Sequence, residues 1–502
     1  MPLVAKNSLY QIGSQVTLLA VGLFTSPYIV HTLGVNLYGI LVLIGITTNY
    51  FGAVELGLGQ ATIKFLADTS ARKDWPEFTR VFWTSSLSYL TLGAIGAAGI
   101  VACTPVLLHL LKIPADVRQM TAHAFTVSAV ALIVSFQVGL TSSVVRALER
   151  FEWLSRIGVS IGVAQGLLTV VLLYFRYSLV GIMIGSVVLQ CVALSAYSLL
   201  VRAMVPDLGA PTWDQKTFRK LVGFGAYVSI SQVIGPVLVH VEKFILGSLV
   251  AISVVTYYTV PYNLISALSL FPASIAVVTF PAFTRLYSEG NSASARELYI
   301  RATKFVFCSI VPIATIAGVF ARQILTLWMG KEIGTEGARV LQILAFALVV
   351  SAIASLPYQF LQAIHRPDLT AKFHILELVL HIPLCFGLIS AFGLTGAAVA
   401  WAVRVTLDLL LLIRSTARSI GLTLPDLFRS SFRASMIGAL CGVPILILAR
   451  LAINDAGRFL SLLIIGLSGL IYFTAVVAMT LDRQDKLYLT PFWARWRGSA
   501  VP

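Results

Sequence analysis

Charged residues are scarce in this chain. Asp, Glu, Lys and Arg make up 11% of its 502 residues, whereas hydrophobic residues make up 58%. A soluble domain carries about a quarter charged residues to cover its surface, so the shortage excludes a soluble globular protein and predicts that lipid surrounds most of the chain. The apolar runs also lack the period-two alternation of membrane β-barrel strands, which leaves helices as the spanning elements.

Motifs for nucleotide, metal and disulfide chemistry are lacking as well. The sequence contains no zinc-protease motif and no Walker A motif, because Gly330-Lys331 is followed by Glu332 and has no suitable glycine before it. The cysteines fall inside apolar runs without framework spacing, which predicts buried thiols. They are Cys103, Cys191, Cys308, Cys385 and Cys441. We expect no cofactor and no metal site, and an ATP-driven pump would need a partner protein.

Acidic residues are fewer than basic ones, which gives a net charge of +15. Such an excess can favour nucleic acid, but the basic residues lie in short loops between apolar runs, so we expect no nucleic-acid partner. Of the 36 Lys and Arg residues, 26 fall on one side of the predicted membrane and 8 on the other, while Lys243 and Arg404 lie inside spans. The positive-inside rule then predicts that both termini are cytoplasmic.

Long apolar stretches recur along the whole chain. A spanning helix needs about twenty mostly apolar residues, and the sequence predicts an all-α polytopic membrane protein with about fourteen transmembrane helices. Their predicted ranges are 8–30, 37–67, 78–105, 119–146, 153–175, 178–204, 221–247, 252–286, 300–325, 337–364, 369–391, 394–418, 431–453 and 458–481.

The two halves of the sequence resemble each other. Val144-Val-Arg-Ala-Leu-Glu-Arg150 corresponds to Phe360-Leu-Gln-Ala-Ile-His-Arg366, 216 residues later, and Leu179-Val-Gly181 corresponds to Leu394-Thr-Gly396. Chance similarity among apolar helices is the alternative, but the shared loop positions and the shared Ala-x-x-Arg favour a repeat. Six spans separate equivalent positions, and an even number preserves orientation, so the repeat is parallel, about an axis along the membrane normal.

The repeat predicts two pseudo-symmetric six-helix lobes around a central cavity, an architecture suited to alternating access. The predicted division is an N-lobe in 1–204, a cytoplasmic linker in 205–220, a C-lobe in 221–418, an additional helix pair in 419–482 and a cytoplasmic tail in 483–502. The helix pair lies outside the repeat.

Four motifs carry a resemblance to a known family. They are Ser26-Pro-Tyr-Ile-Val-His-Thr-Leu-Gly-Val-Asn-Leu-Tyr-Gly-Ile40, Glu55-Leu-Gly-Leu-Gly59, Glu242-Lys-Phe-Ile-Leu-Gly247 and Phe280-Pro-Ala-Phe-Thr284. In this order the motifs resemble the first loop and the second, seventh and eighth spans of oligosaccharide flippases. These belong to the polysaccharide-transport branch of the multidrug/oligosaccharidyl-lipid/polysaccharide exporter superfamily, which includes O-antigen flippases and is related to the lipid II flippase. The acid of the seventh span is often Asp in that family and is Glu242 here.

The resemblance implies a transporter of the bacterial inner membrane rather than an enzyme. It implies that an undecaprenyl-diphosphate-linked oligosaccharide is turned from the cytoplasmic to the periplasmic leaflet by alternating access. Spans thirteen and fourteen would then form a groove for the lipid tail. The implied partners are the lipid-linked oligosaccharide, membrane lipid and polysaccharide polymerase or assembly proteins.

Polar side chains inside the spans are the candidates for substrate binding, because an ionisable group at bilayer depth usually faces a wet cavity or a partner. Tyrosine can stack on a sugar and donate a hydrogen bond, and Lys243 or Arg404 could meet a phosphate. The candidates are Lys243, Gln11, Gln15, Gln232, His240, Tyr258, Tyr262 and Arg404. The alternative is that these groups join helices by hydrogen bonds or, for Lys243, an ion pair.

Buried carboxyl groups are the candidates for ion coupling: Glu55, Glu242, Glu377 and Asp408. Glu55 is favoured for cycling a proton, and its alternative role is a fixed hydrogen bond beside Gly57 and Gly59. On span eleven, His374, Glu377 and His381 fit a proton relay or ordinary interhelical bonding, and their spacing does not suit one metal ion. Arg404 and Asp408 lie four residues apart, which predicts an ion pair between them.

Other functions remain as alternatives. A cation-coupled drug exporter of the same superfamily would have a smaller, more apolar cleft and no groove helices. A polytopic polysaccharide polymerase or glycosyltransferase would need larger outer loops with catalytic carboxylates or arginines, and the predicted outer loops are short and poor in acids. A channel is a further class, but the two-lobe repeat favours alternating access.

Overall fold

The computed structural model describes residues 2–205, 208–421, 433–453 and 457–480. These residues form helices joined by short turns, and none of the described residues lies in a strand, which confirms the predicted all-α class. The helices are α1 Pro2–Ala71, α2 Trp75–Leu110, α3 Ala115–Ala147, α4 Phe151–Tyr174, α5 Leu179–Met204, α6 Gln215–Leu249, α7 Ile252–Leu268, α8 Leu270–Ser288, α9 Ser292–Val319, α10 Ala321–Met329, α11 Lys331–Glu336, α12 Ala338–Ala363, α13 Pro367–Ile420, α14 Arg433–Ala452 and α15 Arg458–Thr480.

Nine helices within the described ranges are long and apolar enough to cross a membrane, so the protein is a multi-pass membrane protein. Two of them, α1 and α13, each cover two predicted spans. Gly34 interrupts α1 with φ 76° and ψ 165°, and Gly393 interrupts α13 with φ 55° and ψ −129°. Both glycines lie where a turn between spans was expected, and both adopt a positive φ that favours glycine. The total of fourteen spans stays a prediction.

The eighth predicted span is divided into α7 and α8 at Ser269. Pro272 lies in the first turn of α8 and has no N–H to donate to the carbonyl of Leu268. The ninth predicted span ends earlier than expected, because α9 stops at Val319 and the chain continues as the short helices α10 and α11. Two spans that were predicted to be continuous helices are therefore interrupted, the eighth near Pro272 and the ninth where α10 begins.

Two of the described cysteines correct the prediction of buried thiols. Cys103 and Cys191 are exposed on the surfaces of α2 and α5, whereas Cys308 and Cys385 are buried. An apolar run predicts contact with lipid as readily as burial in protein, so hydropathy could not separate the two. The side chain of Cys441 lies outside the described part of the structure.

Turn residues with positive φ recur at corresponding positions in both halves of the chain. Four residues with positive φ each have a counterpart with positive φ 216 to 218 residues later: Lys73 and Gly290, Lys112 and Gly330, Glu149 and His365, and Arg176 and Gly393. A left-handed residue is a common way to end a helix. The recurrence supports the internal repeat predicted from the sequence.

Side chains at these turns repeat as well. The Asp74 carboxylate accepts a hydrogen bond from the N–H of Glu77, and the Asn291 side chain accepts one from the N–H of Ser294, both at 3.0 Å. Arg150 pairs with Glu152 at 2.7 Å, and its counterpart Arg366 pairs with Asp368 at 3.0 Å. The Arg366 guanidinium lowers the pKa of the Asp368 carboxyl through this hydrogen bond.

The chain divides into two compact units, Met1–Thr259 and Val260–Pro502. In the first unit, α1 packs against α2, α3, α4 and α6, and α3 packs against α2 and α5. A Cβ on Gly225 of α6 would lie 3.1 Å from the carbonyl oxygen of Gly57, so the two helices cross in close contact. In the second unit, α12 packs against α8, α9 and α13, and α15 packs against α9 and α14. The lobe boundaries given above stay a prediction.

The segment that follows α5 is attached to α2. The indole Nε1 of Trp83 donates to the carbonyl of Gly209 at 2.7 Å, and the N–H of Asp214 donates to Thr84 Oγ1 at 3.2 Å. Asp214 then caps α6 by accepting from the N–H of Thr217 at 2.9 Å, and this bonding lowers the pKa of Asp214. The predicted linker therefore ends at Asp214, because α6 begins at Gln215.

Candidate functional site

Glu55 lines a cavity in the first unit. The cavity has a volume of about 390 Å³. Its lining comes from α1, α3 and α6 and consists of Gly45, Thr48, Asn49, Gly52, Glu55, Leu132, Ser135 and Pro236. Thr48, Gly52 and Glu55 recur at helical spacing on α1, so they share one face of the helix. The arrangement provides hydroxyl, amide and carboxyl groups at bilayer depth around space that can hold water or polar ligand atoms.

Gly139 makes room for the Glu55 carboxyl group. A Cβ at Gly139 on α3 would overlap both Oε1 and Cδ of Glu55, so the carboxyl lies directly against the backbone of α3. Gly59 lies on α1, one turn after Glu55, and a Cβ at this position would lie 3.4 Å from the hydroxyl of the buried Tyr89. The sequence identified Glu55 and Gly59 but gave no local signal for Gly139, which is distant in the chain.

Lys243 and His240 interact on α6. Lys243 is 3% exposed, and its Nζ lies 3.1 Å from His240 Nδ1. A protonated lysine donates in this contact, so the imidazole accepts at Nδ1 and carries its own proton at Nε2. The ring of Tyr50 on α1 lies 6.3 Å from that of His240 and stacks on Phe244 at 5.7 Å. Sequence reasoning grouped Lys243 with His240 and missed Tyr50.

The other predicted positions of the first unit have different surroundings. Glu242 is buried with 0% exposure, and so is Tyr258. Gln15 is exposed on α1. The side chains of Gln11 and Gln232 lie outside the described residues. The structure thus brings Lys243 to His240 and lines a cavity with Glu55, but it does not gather all the predicted cavity residues of this unit into one cluster.

In the second unit, Glu377, Arg404 and Asp408 form a buried charged cluster within α13. Arg404 Nη1 donates to Glu377 Oε2 at 3.3 Å, with side-chain exposures of 12% and 0%. Asp408 lies within hydrogen-bonding reach of Glu377. Glu377 Oε1 and Asp408 Oδ1 are buried and receive no hydrogen bond from the described residues.

The partner of Arg404 corrects a sequence prediction. Arg404 and Asp408 were expected to pair along one helix turn, but Arg404 pairs with Glu377 on the other side of the Gly393 turn. Within a helix, a basic residue preceding an acid by four positions is the less favourable order, and the fold offers Arg404 a better-placed partner. The cluster contains two carboxyl groups and one guanidinium, so it carries one excess negative charge unless it binds a proton or a cation.

Aromatic rings flank this cluster on α12 and α7. The ring of Tyr358 stacks on His374 at 6.1 Å and an interplanar angle of 16°. Tyr262 meets Trp401 edge to face at 5.9 Å. Sequence reasoning named His374 and Tyr262 and missed Tyr358 and Trp401, because ring contacts between helices depend on packing.

The helical fold and the ionisable groups buried within its spans define a polytopic membrane transporter. The chain belongs to the polysaccharide biosynthesis protein family, whose model matches residues 32–333. The putative O-antigen transporter of Shigella flexneri is 23% identical over 412 residues, which cover 82% of this chain and 96% of that protein. The probable flippase AglR of Haloferax volcanii is 24% identical over 427 residues, 84% of this chain and 85% of that protein.

Solved structures share the fold. The lipid II flippase MurJ in an inward closed conformation matches with a TM-score of 0.73 and 13% identity, covering 94% of this chain and 98% of that one. An inward-facing multidrug resistance transporter of the MATE family, from the MOP superfamily, matches with a TM-score of 0.68 and 15% identity, covering 83% and 96%. At these identities the likeness extends to the fold alone.

Proposed function

We propose that this protein is a flippase that moves an undecaprenyl-diphosphate-linked oligosaccharide from the cytoplasmic to the periplasmic leaflet by alternating access. The two relatives, a putative O-antigen transporter and a probable flippase, support this proposal. The observation that carries the proposal is the pair formed by buried Lys243 and His240 inside α6. A lysine buried within a span is costly in lipid, and a diphosphate is a ligand that its ammonium group can bind.

Lys243 is the residue we assign to the diphosphate, with His240 holding its ammonium group in place and Tyr50 beside the imidazole ring. A lysine binds phosphate as a point charge with three donors. The cavity beside Glu55 provides Thr48, Asn49 and Ser135 for the hydroxyl groups of the sugar. Gln11, Gln15, Gln232, Tyr258, Tyr262 and Arg404 remain proposed contacts to the substrate.

Coupling is assigned to the buried carboxyl groups. The Glu377–Arg404–Asp408 cluster has one acid more than it has bases, so it can bind one proton or one monovalent cation as the transporter changes state. Glu55 lines the cavity with no cation among the other residues lining it, which suits a group that takes up a proton. Glu242 is a further proposed coupling group.

The additional helix pair is assigned to the lipid tail. Leu446 and Tyr472 pack α14 and α15 against Phe320, and all three are 0% exposed. The opposite surface of α15 is apolar and open, with Phe459 80% and Leu470 60% exposed.

We also propose that the protein resides in the bacterial inner membrane with both termini in the cytoplasm and that polysaccharide polymerase or assembly proteins are its partners.

The test uses purified protein in liposomes that contain a fluorescent undecaprenyl-diphosphate oligosaccharide. A membrane-impermeant quencher follows exchange between leaflets. Wild type should exchange the lipid, Lys243→Gln should slow exchange at least tenfold, and the exposed Arg418→Gln should match wild type. Equal rates for empty and protein-containing liposomes, with and without ion gradients, would reject the flippase. Efflux of a cationic dye under the same gradients would then favour a drug exporter.

A further inference from the structure

A second cavity lies in the first unit, separate from the lining of the Glu55 cavity. It occupies about 310 Å³ between α2, α3 and α5, and Leu208 of the following segment closes part of it. One water needs about 10–15 Å³ of such space, so the cavity has room for a group of several atoms such as a phosphodiester with its neighbouring hydroxyl groups.

The lining of this cavity combines apolar side chains with several polar groups and one basic residue, Arg202. Its polar members are Trp83, Ser86, Gln137, Thr141, Ser198 and Arg202, and the described lining contains no Asp or Glu. Arg202 forms no ion pair with any residue that the structure describes. An unpaired guanidinium beside hydroxyl and amide groups is suited to an anion with oxygen acceptors.

Hydrogen bonds between neighbouring elements hold the walls of the cavity in place. Gln137 Nε2 donates to the carbonyl of Ser86 at 3.1 Å, and Ser86 Oγ donates to Gln137 Oε1 at 3.3 Å, which joins α3 to α2. Trp83 donates to Gly209 at 2.7 Å and fixes the segment over the cavity entrance. Arg202 lies in the last turn of α5, at the end that the distribution of basic residues assigns to the cytoplasmic interface.

Exposed apolar residues continue the cavity toward the bilayer centre. Leu90 lies one turn beyond Ser86 on α2, Val130 lies two turns before Gln137 on α3, and Cys191 lies two turns before Ser198 on α5. Leu90 is 46% and Val130 is 50% exposed, and Cys191 is also exposed. At helical spacing each shares a face with its polar neighbour. A pocket that offers Arg202 and hydroxyl and amide groups, followed by an apolar strip, matches a lipid with its head group bound and its acyl chains in the membrane.

We propose that the cavity between α2, α3 and α5 binds the head group of an anionic glycerophospholipid, with Arg202 on the phosphodiester. The hydroxyl groups of the head group would meet Ser86, Gln137 and Ser198. Basic pockets between membrane helices on the cytoplasmic side are a known form of lipid head-group site. The apolar strip favours a lipid over free phosphate, because only a lipid places acyl chains along Leu90, Val130 and Cys191 while its phosphate meets Arg202.

The experiment is a titration of the purified full chain with dioctanoyl phosphatidylglycerol, followed by native mass spectrometry. Arg202→Gln should weaken binding about tenfold, since a charged hydrogen bond is lost. Ser198→Leu, which fills the cavity, should weaken it similarly. Arg202→Lys should stay within about threefold of wild type, and Arg418→Gln, an exposed arginine on the same predicted side, should match wild type. Melting temperatures of all variants establish that they are folded.

Two further arms distinguish the source of the phosphate. Dioctanoyl phosphatidylcholine should bind more weakly than phosphatidylglycerol, because its choline cation offsets the charge that Arg202 recognises. Inorganic phosphate at millimolar concentration should not displace phosphatidylglycerol. Displacement by phosphate would overturn the lipid assignment, and so would equal binding of the two lipids. Folded Arg202→Gln and Ser198→Leu variants that bind phosphatidylglycerol as tightly as wild type would overturn the site itself.

Discussion

At the scale of single residues, the interior of each unit contains a few ionisable groups, and the neighbours of Glu55 and Glu377 are distant in sequence. The Glu55 carboxyl group fits against α3 because Gly139 has no side chain. The Lys243 ammonium group bonds to a ring nitrogen of His240, and Glu377 pairs with Arg404. Removing one partner of such a contact should change the free energy of unfolding, which can be measured without knowing the substrate.

Gly139→Ala should destabilise the protein by about 1–3 kcal/mol, the usual cost of overpacking, because the new methyl group overlaps the Glu55 carboxyl. Thermal unfolding in detergent measures the effect. Gly158→Ala on α4 is the control, since its Cβ would meet nothing within 4 Å. Adding Glu55→Ala to Gly139→Ala should recover most of the loss. Equal melting temperatures for Gly139→Ala and Gly158→Ala would contradict the close contact.

Arg404→Met should cost about 3 kcal/mol, because removing one partner of a buried ion pair leaves an uncompensated charge. Denaturant unfolding is the measurement. Combining it with Glu377→Gln should restore part of the stability, because the second change removes one of the two carboxylates. Arg366→Met, which breaks an exposed pair with Asp368, should cost at most about 1 kcal/mol. A double variant no more stable than Arg404→Met would count against the cluster.

At the scale of elements, the ends of helices are more regular than their interiors. Asp74 and Asn291 cap α2 and α9 at equivalent positions of the repeat, each following a residue with positive φ. Ser178 stands at the same kind of position before α5 but makes no capping hydrogen bond with its side chain. Asp, Asn and Ser are all favoured at helix N-termini, but here only Asp74 and Asn291 have the geometry that forms a capping hydrogen bond.

Asp74→Ala and Asn291→Ala should each destabilise the protein by about 1 kcal/mol, the typical value of an N-cap. Ser178→Ala should have little effect, because no capping bond is lost. Chemical denaturation of the three variants under the same conditions provides the comparison. If Ser178→Ala were as damaging as the other two, the side-chain bonds of Asp74 and Asn291 would not be the source of the stabilisation.

At the scale of the whole molecule, two compact units carry the same series of turns in the same order. The repeat and the distribution of basic residues together predict which turns face the cytoplasm. The turn between α1 and α2 contains Arg72 and Lys73 and is predicted to lie on the basic, cytoplasmic side, whereas the turn between α2 and α3 is predicted to lie on the other side.

Single cysteines in a cysteine-free background test this topology. Arg72→Cys should react with a membrane-impermeant maleimide only after the cells are opened, and Asp116→Cys should react in intact cells, since both positions are exposed. The reverse pattern would invert the predicted orientation. Labelling of both positions in intact cells would reject the placement of a spanning helix between them.

Several features of the fold and the site could be predicted from the sequence. The helical class, the glycine turns at Gly34 and Gly393, and the repeat of about 216 residues follow from hydropathy and local turn chemistry, because these depend on neighbours in the chain. Glu55, Lys243, Glu377 and Arg404 were identifiable because an ionisable residue in an apolar run is conspicuous wherever the helix packs.

The partners of these groups could be decided only by the tertiary structure. Gly139, Tyr50 and the pairing of Arg404 with Glu377 rather than Asp408 depend on which helix faces meet, and apolar stretches of similar hydropathy do not encode that choice locally. The same reason explains why Cys103 and Cys191 are exposed although their surroundings are apolar. In a membrane protein, lipid and protein interior have similar polarity, so hydropathy determines that a residue leaves water, and helix packing determines what it touches.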